Sequence, residues 1–197
     1  MPQSVEALHR FGLKLFAQPA GPVDCRAAIP VFHHWIQTGA LGQRLLIDVA
    51  DYTHLVDGPS VLLVGHDLNL SLDTTEGRLG LQCMQKRPGS GAFVERLTEL
   101  TRTLLMAARL LESDPAFDGR LRFDGKCLQF ISNDRMIAPP GETAVATLSP
   151  PLQSLMARLY PGQRHDLSSV PFSGDRLGMI LSADDPAPID TLLQRVS

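Results

Sequence analysis

Cysteine is scarce in this chain, and what there is cannot pair by spacing: Cys25, Cys83 and Cys127 are far apart and never form a C-x-x-C unit. That excludes a disulfide framework and a zinc knuckle, and the three read as reduced, mostly buried thiols. An excess of one charge is missing too. The 18 basic and 21 acidic residues leave a formal net charge of −3, and neither sign gathers into a block of five. A phosphate-backbone binder needs a basic face, and the Arg and Lys of "RLTELTR" and "RLRFDGK" are interrupted by acids or apolar residues. Nucleic acid is therefore not an expected partner.

Long apolar runs are absent as well. Nothing approaches the roughly 18 residues a membrane-spanning helix requires. The opening "MPQSVEALHRFGLKLFAQ" mixes acid and base and lacks the apolar core, about 7–15 residues long, of a secretory leader. A cytoplasmic protein without a membrane partner is expected. G-x-S-x-G, the phosphate loop and G-x-G-x-x-G do not occur, and "RPGSGAF", the nearest Gly-rich approach to a helix, reads as a plain loop. Ser173 in "FSGD" lacks the strand-elbow-helix context of a nucleophile, while Cys83 and Cys127 fall in strand interiors. No nucleophile is nominated, and any cofactor is unknown.

What is present is ordinary globular material: 44% hydrophobic and 20% charged residues over a chain of 197. That length and composition predict a single domain, 1–197, with one core. Ser4 is placed to cap a first helix in which Val5, Leu8, Leu15 and Phe16 recur near helical spacing, with His9 at the core edge. "IPVFHHWIQTG" fits a short helix from Pro30 to Gly39 somewhat better than a strand. "RLLIDVADY", "SVLLVGHD", "LNLSLD" and "RLGLQCMQKR" read as an antiparallel meander, with Leu68, Leu70 and Leu72 inward and Asn69, Ser71 and Asp73 outward and wet.

The strongest helical pattern is "AFVERLTELTRTLLMAARLLES". It puts Phe93, Val94, Leu97, Leu100, Leu104, Leu105, Ala108 and Leu111 on one face, with Arg96, Glu99, Arg102 and Thr103 solvated. "LRFDGKCLQF" suggests a hairpin turning at Asp124-Gly125. A helix from "PPLQSLMARLYPG", one or two strands in "VPFSGDRLGMILSA", and a last helix after Asp185 complete the chain. Strands in groups predict an α+β fold: a mostly antiparallel sheet packed by the long central helix and shorter helices towards the ends.

Candidate site residues follow from three stretches. Residues 45–67 set Asp48, Asp51, His54, Asp57, His66 and Asp67 among apolar runs. They read first as strand ends and loop polarity; the alternative is a metal-dependent enzyme using Asp48, Asp51, His54 and His66. An antiparallel reversal sends His66 back towards Leu45–Asp48 and away from Asp51, whereas a zinc site needs at least three convergent protein donors. Any metal is therefore unknown. Arg135 in "SNDR" and Arg176 in "GDR" form either a carboxylate or phosphate clamp or local surface pairs. Trp35, with Phe32 and Ile36, is either the anchor of an interface rimmed by His33 and His34 or part of the core. The expected function is a binding or assembly module acting through a sheet face or a groove beside the long helix. Its expected partner is another protein or a second copy of itself, since two-fold homo-oligomers are the commonest assemblies.

Overall fold

The computed structural model describes residues 4–172 and 176–197, so Ser173 and the acidic half of the Asp175–Arg176 pair lie outside the described residues. Eight strands form one sheet in which every ladder is antiparallel. They are β1 (Phe11–Ala17), β2 (Leu46–Asp51), β3 (Pro59–Gly65), β4 (Leu68–Asp73), β5 (Gly80–Gln85), β6 (Phe123–Ser132), β7 (His165–Phe172) and β8 (Arg176–Ala183). The order across the sheet is β2-β3-β4-β5-β1-β6-β8-β7. With the four α-helices this is the expected α+β class.

The first element departs from the expected helix. Ser4 does cap, accepting from the Glu6 N–H, but only for a single 3-10 turn over Val5–Ala7. Phe11–Ala17 is then the strand that joins the two halves of the sheet, pairing with β5 on one side and β6 on the other. The reason is period. Leu13 and Leu15 point to one face, Gly12, Lys14 and Phe16 to the other, and all five are buried. A strand covered on both sides loses the apolar–polar alternation that marks a strand in sequence.

Helix α1 (Ala28–Thr38) ends at Gly39, which adopts the left-handed conformation of a C-cap at φ 64°. Helix α2 (Phe93–Ser113) lies over β5 and β1, with α3 (Glu142–Leu159) over β7 and β8 and α4 (Ile189–Arg195) beside β6. The strand side chains that meet them include Leu13, Leu15, Leu70, Leu81, Phe130 and Met179, all fully buried. Seven of the eight apolar positions expected on α2 are buried; Val94 is 42% exposed. Glu99 and Arg102 are solvated as expected, but Thr103 and Arg96 are not. The Arg96 guanidinium donates to the carbonyls of Leu8 (2.6 Å) and Glu6 (2.8 Å) and to His9 Nδ1 (3.0 Å), so it ties the N-terminal turn to α2. Burial lowers its pKa, and the Glu6 carboxylate 3.9 Å away opposes the shift.

Two further expectations change. Asp124-Gly125 makes no hairpin: β6 runs on from Phe123, and the pair forms a bulge between the Leu15–Leu128 and Ala17–Phe123 pairings. Asp124 Oδ1 caps the Lys126 N–H there, so turn chemistry is used inside a strand. Gly125 is needed for close approach: a Cβ would lie 1.8 Å from the Ala187 carbonyl oxygen, in the segment leading to α4. Its own carbonyl accepts from both the Ala187 N–H and the Tyr160 hydroxyl, each at 2.9 Å. Helix α3 begins at Glu142 and carries Pro150 and Pro151 inside it, where they were expected near its start.

Candidate functional site

The acidic residues of 45–67 are engaged singly, some beside their own place in the chain and some by other segments. Asp48 accepts from the neighbouring Val49 N–H (2.8 Å). Asp51 accepts from the Thr53 N–H and hydroxyl, and these bonds, with Arg26 and His54 adding favourable charge, hold its carboxyl below the usual range. Asp57 accepts from the Glu76 N–H. His66 donates its backbone N–H to the Leu45 carbonyl and sits 3.7 Å from Asp67. Register separates the expected pair: Leu46 opposes Gly65 while Asp51 opposes Val61, so His66 and Asp51 lie at opposite ends of β2. Asp51 and His54 come together, His66 does not join them. Among the described residues, no three His, Cys, Asp or Glu side chains gather where they could hold a metal ion.

Trp35 is 3% exposed and stacks beside Phe32 at 5.1 Å. The structure places it in the core, with His33 and His34 exposed on the outer side of α1. Arg135 is exposed in the turn after β6. Arg176 stands apart from the other candidates, because it lines a cleft on the second face of the sheet.

That second face is formed by the residues alternating with the core leucines. Register aligns Leu62 (β3), Ser71 (β4), Gln82 (β5), Lys14 (β1) and Gln129 (β6) in one row. The next row holds Val64, Asn69, Met84, Gly12 and Ile131. The α-helices pack on the opposite face, yet Lys14, Ser71, Asp73 and Gln129 are all no more than 3% exposed. Asn69, Ser71 and Asp73 thus point away from the core as expected, but Ser71 and Asp73 are buried and Asn69 is half-buried.

The floor is pinned by an ion pair. Lys14 Nζ donates to Asp73 Oδ1 (2.6 Å) and to the Thr75 carbonyl (3.3 Å), and Asp73 also accepts from the Thr75 N–H and hydroxyl. To reach β4 from β1 the lysine stem crosses β5 over Gly80, where an added Cβ would sit 2.9 Å from Lys14 Cε. Phe16 and Arg78 close this end, the guanidinium lying 3.6 Å from the ring centroid. Stacking of this kind leaves the Arg78 N–H groups outward while its carbon plane covers the apolar ring.

At the other end the cleft opens, with a volume of about 520 Å³. β1, β5 and β6 all reach their ends here, as does β8, where Gly178 opposes Ile131. Arg10, Lys86, Asn133 and Arg176 therefore gather around one rim. Asn69, Gln82 and Ser71 line the interior, with Met84, Leu62 and Pro59 as an apolar wall. The Lys86 ammonium donates to the Gly65 carbonyl, and Gln85 Nε2 to that of Arg87. Burial lowers the Arg176 pKa, with Asp73 and Glu76 opposing. Asn69 Oδ1 is buried without a hydrogen-bond partner. Turning its amide towards a ligand breaks no Oδ1 bond, and an unmade acceptor bond costs about 1–3 kcal/mol, which a ligand donor would recover.

Sequence reasoning named only Arg176 of this set. The signal available for the rest was the Asn69, Ser71 and Asp73 alternation in β4, continued by Gln82 and Met84 in β5. No known protein family, curated protein or solved structure matches the chain.

Proposed function

We propose that the protein is a binding module that seats a small polar ligand in the cleft on the second face of its sheet. One observation carries the reading: on a face without helices, the eleven residues lining the cleft include four amides, a hydroxyl and three cations around a short apolar wall. Convergent hydrogen-bonding groups beside an apolar surface are the ordinary make-up of a recognition site, and the volume falls within the roughly 300–1,000 Å³ typical of small-molecule sites. Among the described residues, none that lines the cleft is His, Cys, Asp or Glu. The set suits holding a ligand better than moving protons to and from one.

The test is a fragment screen followed by amide NMR on the isotope-labelled protein. Shifts are expected at Asn69, Ser71, Gln82 and Met84, and Asn69→Leu should abolish them without lowering the melting temperature, since the variant loses an acceptor that has no partner. No fragment shifting these amides, or shifts confined to another surface, would overturn the reading.

A second reading, self-association, is favoured by a separate observation. Seven large apolar side chains are exposed among the described residues, and five of them (Leu45, Ile47, Tyr52, Leu55 and Val56) fall on or beside β2. β2 is an edge strand, hydrogen-bonded to β3 alone, and such an edge offers unpaired N–H and C=O groups to a second copy. Light scattering at micromolar concentration is expected to give a dimer, and Ile47→Lys a monomer of unchanged thermal stability. A monomeric wild type removes this reading.

A further inference from the structure

We infer that β2 is a latent pairing edge for a second copy of the chain, held shut by the Asp48 carboxylate. The inference rests on the reading of β2 as the surface of self-association and adds the part its backbone plays. Its ground is hydrogen-bond direction. Tyr52 gives its N–H to the Ser60 carbonyl (2.8 Å), in the ladder where Ala50 opposes Leu62 and Asp48 opposes Val64. Backbone donors alternate sides along an antiparallel strand, so Tyr52, Ala50 and Asp48 point theirs at β3, while Val49 and Asp51 point theirs at the open edge. The Val49 N–H is met there by Asp48 Oδ1 at 2.8 Å. A strand approaching this edge has to displace the carboxylate before it can take the donor, and charged side chains are a common means of closing an edge.

The strand is also out of step at Ile47, the extra residue between the Leu46–Gly65 and Asp48–Val64 pairings. A bulge of this kind bends an edge away from a straight partner. The other acid of the strand plays no such part: Asp51 turns its carboxylate into the hairpin, to the Thr53 N–H and hydroxyl and towards Arg26. Once Asp48 is out of the way, the edge suits a second copy. Centred on Val49, two antiparallel β2 strands set Val49 against Val49, Asp48 against Ala50 and Asp51 against Ile47, so no acid opposes an acid. Centred on Asp48 they would bring two carboxylates face to face, which destabilises a pair. With the carboxylate in place, association uses the exposed side chains of Leu45, Ile47 and the hairpin, and the ladder stays unmade.

Sedimentation velocity on the full-length protein gives the dissociation constant, and hydrogen exchange read by NMR follows the Val49 amide. Asp48 is exposed, so its variants keep the fold and the melting temperature. Asp48→Ala should dimerise about ten-fold more tightly than wild type, the order expected when one pair of hydrogen bonds forms across the axis. Its Val49 amide should exchange more slowly in the dimer than in the monomer. Asp48→Asn keeps an acceptor oxygen over the N–H and should behave as wild type, whose Val49 amide exchanges alike in both states. Two copies use up both edges, so Asp48→Ala should stop at a dimer. The inference falls if Asp48→Ala associates no more tightly than wild type, builds larger assemblies, or is matched by Asp48→Asn, which would make the effect one of charge alone. Equal dimers of wild type and Asp48→Ala leave self-association standing without the guard. A monomeric wild type beside a dimeric Asp48→Ala leaves the guard standing and removes the wild-type dimer, whereas monomers throughout remove both.

Discussion

Asp73→Ala is expected to destabilise the protein by about 3–5 kcal/mol, because it leaves the Lys14 ammonium buried without its counter-charge. Lys14 is 1% exposed and sits in the middle of the strand joining the two halves of the sheet, so the protein cannot release the charge to water without opening the sheet. The Thr75 carbonyl at 3.3 Å is its other partner, and Thr75 itself loses two bonds to the missing carboxylate. Lys14→Met combined with Asp73→Leu removes both charges and should cost much less than Asp73→Ala alone, since a matched apolar pair avoids the desolvation that an ion pair carries. Urea unfolding of the single and double variants measures the difference. A single variant within about 1 kcal/mol of wild type would show that the ammonium finds water, and the buried pair would lose its structural role.

Leu104→Ala should cost about 2–5 kcal/mol, the range for emptying a filled core position. Leu104 is fully buried in the middle of α2, between the helix and the sheet. Arg102, two residues earlier, is exposed and bonds only to Glu99 (2.8 Å), one turn away on the same helix. Arg102→Ala should therefore change stability by no more than about 0.5 kcal/mol, as surface ion pairs usually do. Thermal melts of both variants decide the matter. Equal losses would mean that the helix does not present the face described here.

The contrast between these residues was legible in the sequence because α2 has one wet side, and its period of 3.6 shows. The meander was legible for the same reason: β3, β4 and β5 bury one face with regular leucines, and β2 reverses into β3 at "DGP". β1 was not legible. Buried on both faces, "FGLKLF" shows no alternation, and Val5, Leu8, Leu15 and Phe16 happen to recur at helical intervals. The outward face of β4 alternates as a wet face does, and nothing in its own sequence shows that Lys14 crosses from β1 to bury Asp73. Asp124-Gly125 and Pro150-Pro151 show a different limit, since residues that favour turns and helix starts also occur in a bulge and within a helix when tertiary packing supplies the missing partners.

For the site, Arg176 was legible as a binding candidate, but the partner expected for it, Arg135, is not among the cleft residues. Arg10 lines the cleft instead, from the opposite end of the chain. Residues that meet only through strand order leave no local spacing to read. The Asp and His residues of 45–67 are close in sequence, yet β2 and β3 carry them to opposite ends of the ladder, and each finds its own separate partner.

The position of β1 also governs when the cleft can exist. It is the first strand synthesised and the fifth in the order of the sheet, and its neighbours β5 and β6 flank the 21-residue α2 in the chain. Until Ser132 has been made, β1 can close only one of its two ladders. At roughly 5–20 residues per second, this wait is on the order of ten seconds on the ribosome. During it the meander can form on its own, but its inner edge is either bare or capped by a strand whose far side is bare, and such edges invite pairing with other chains. Because the rim draws on β1, β6 and β8, the cleft does not exist during that interval. A molecule seated in the cleft, as proposed, would add to stability only after the last long-range ladder has closed, mainly by slowing the reopening of the sheet.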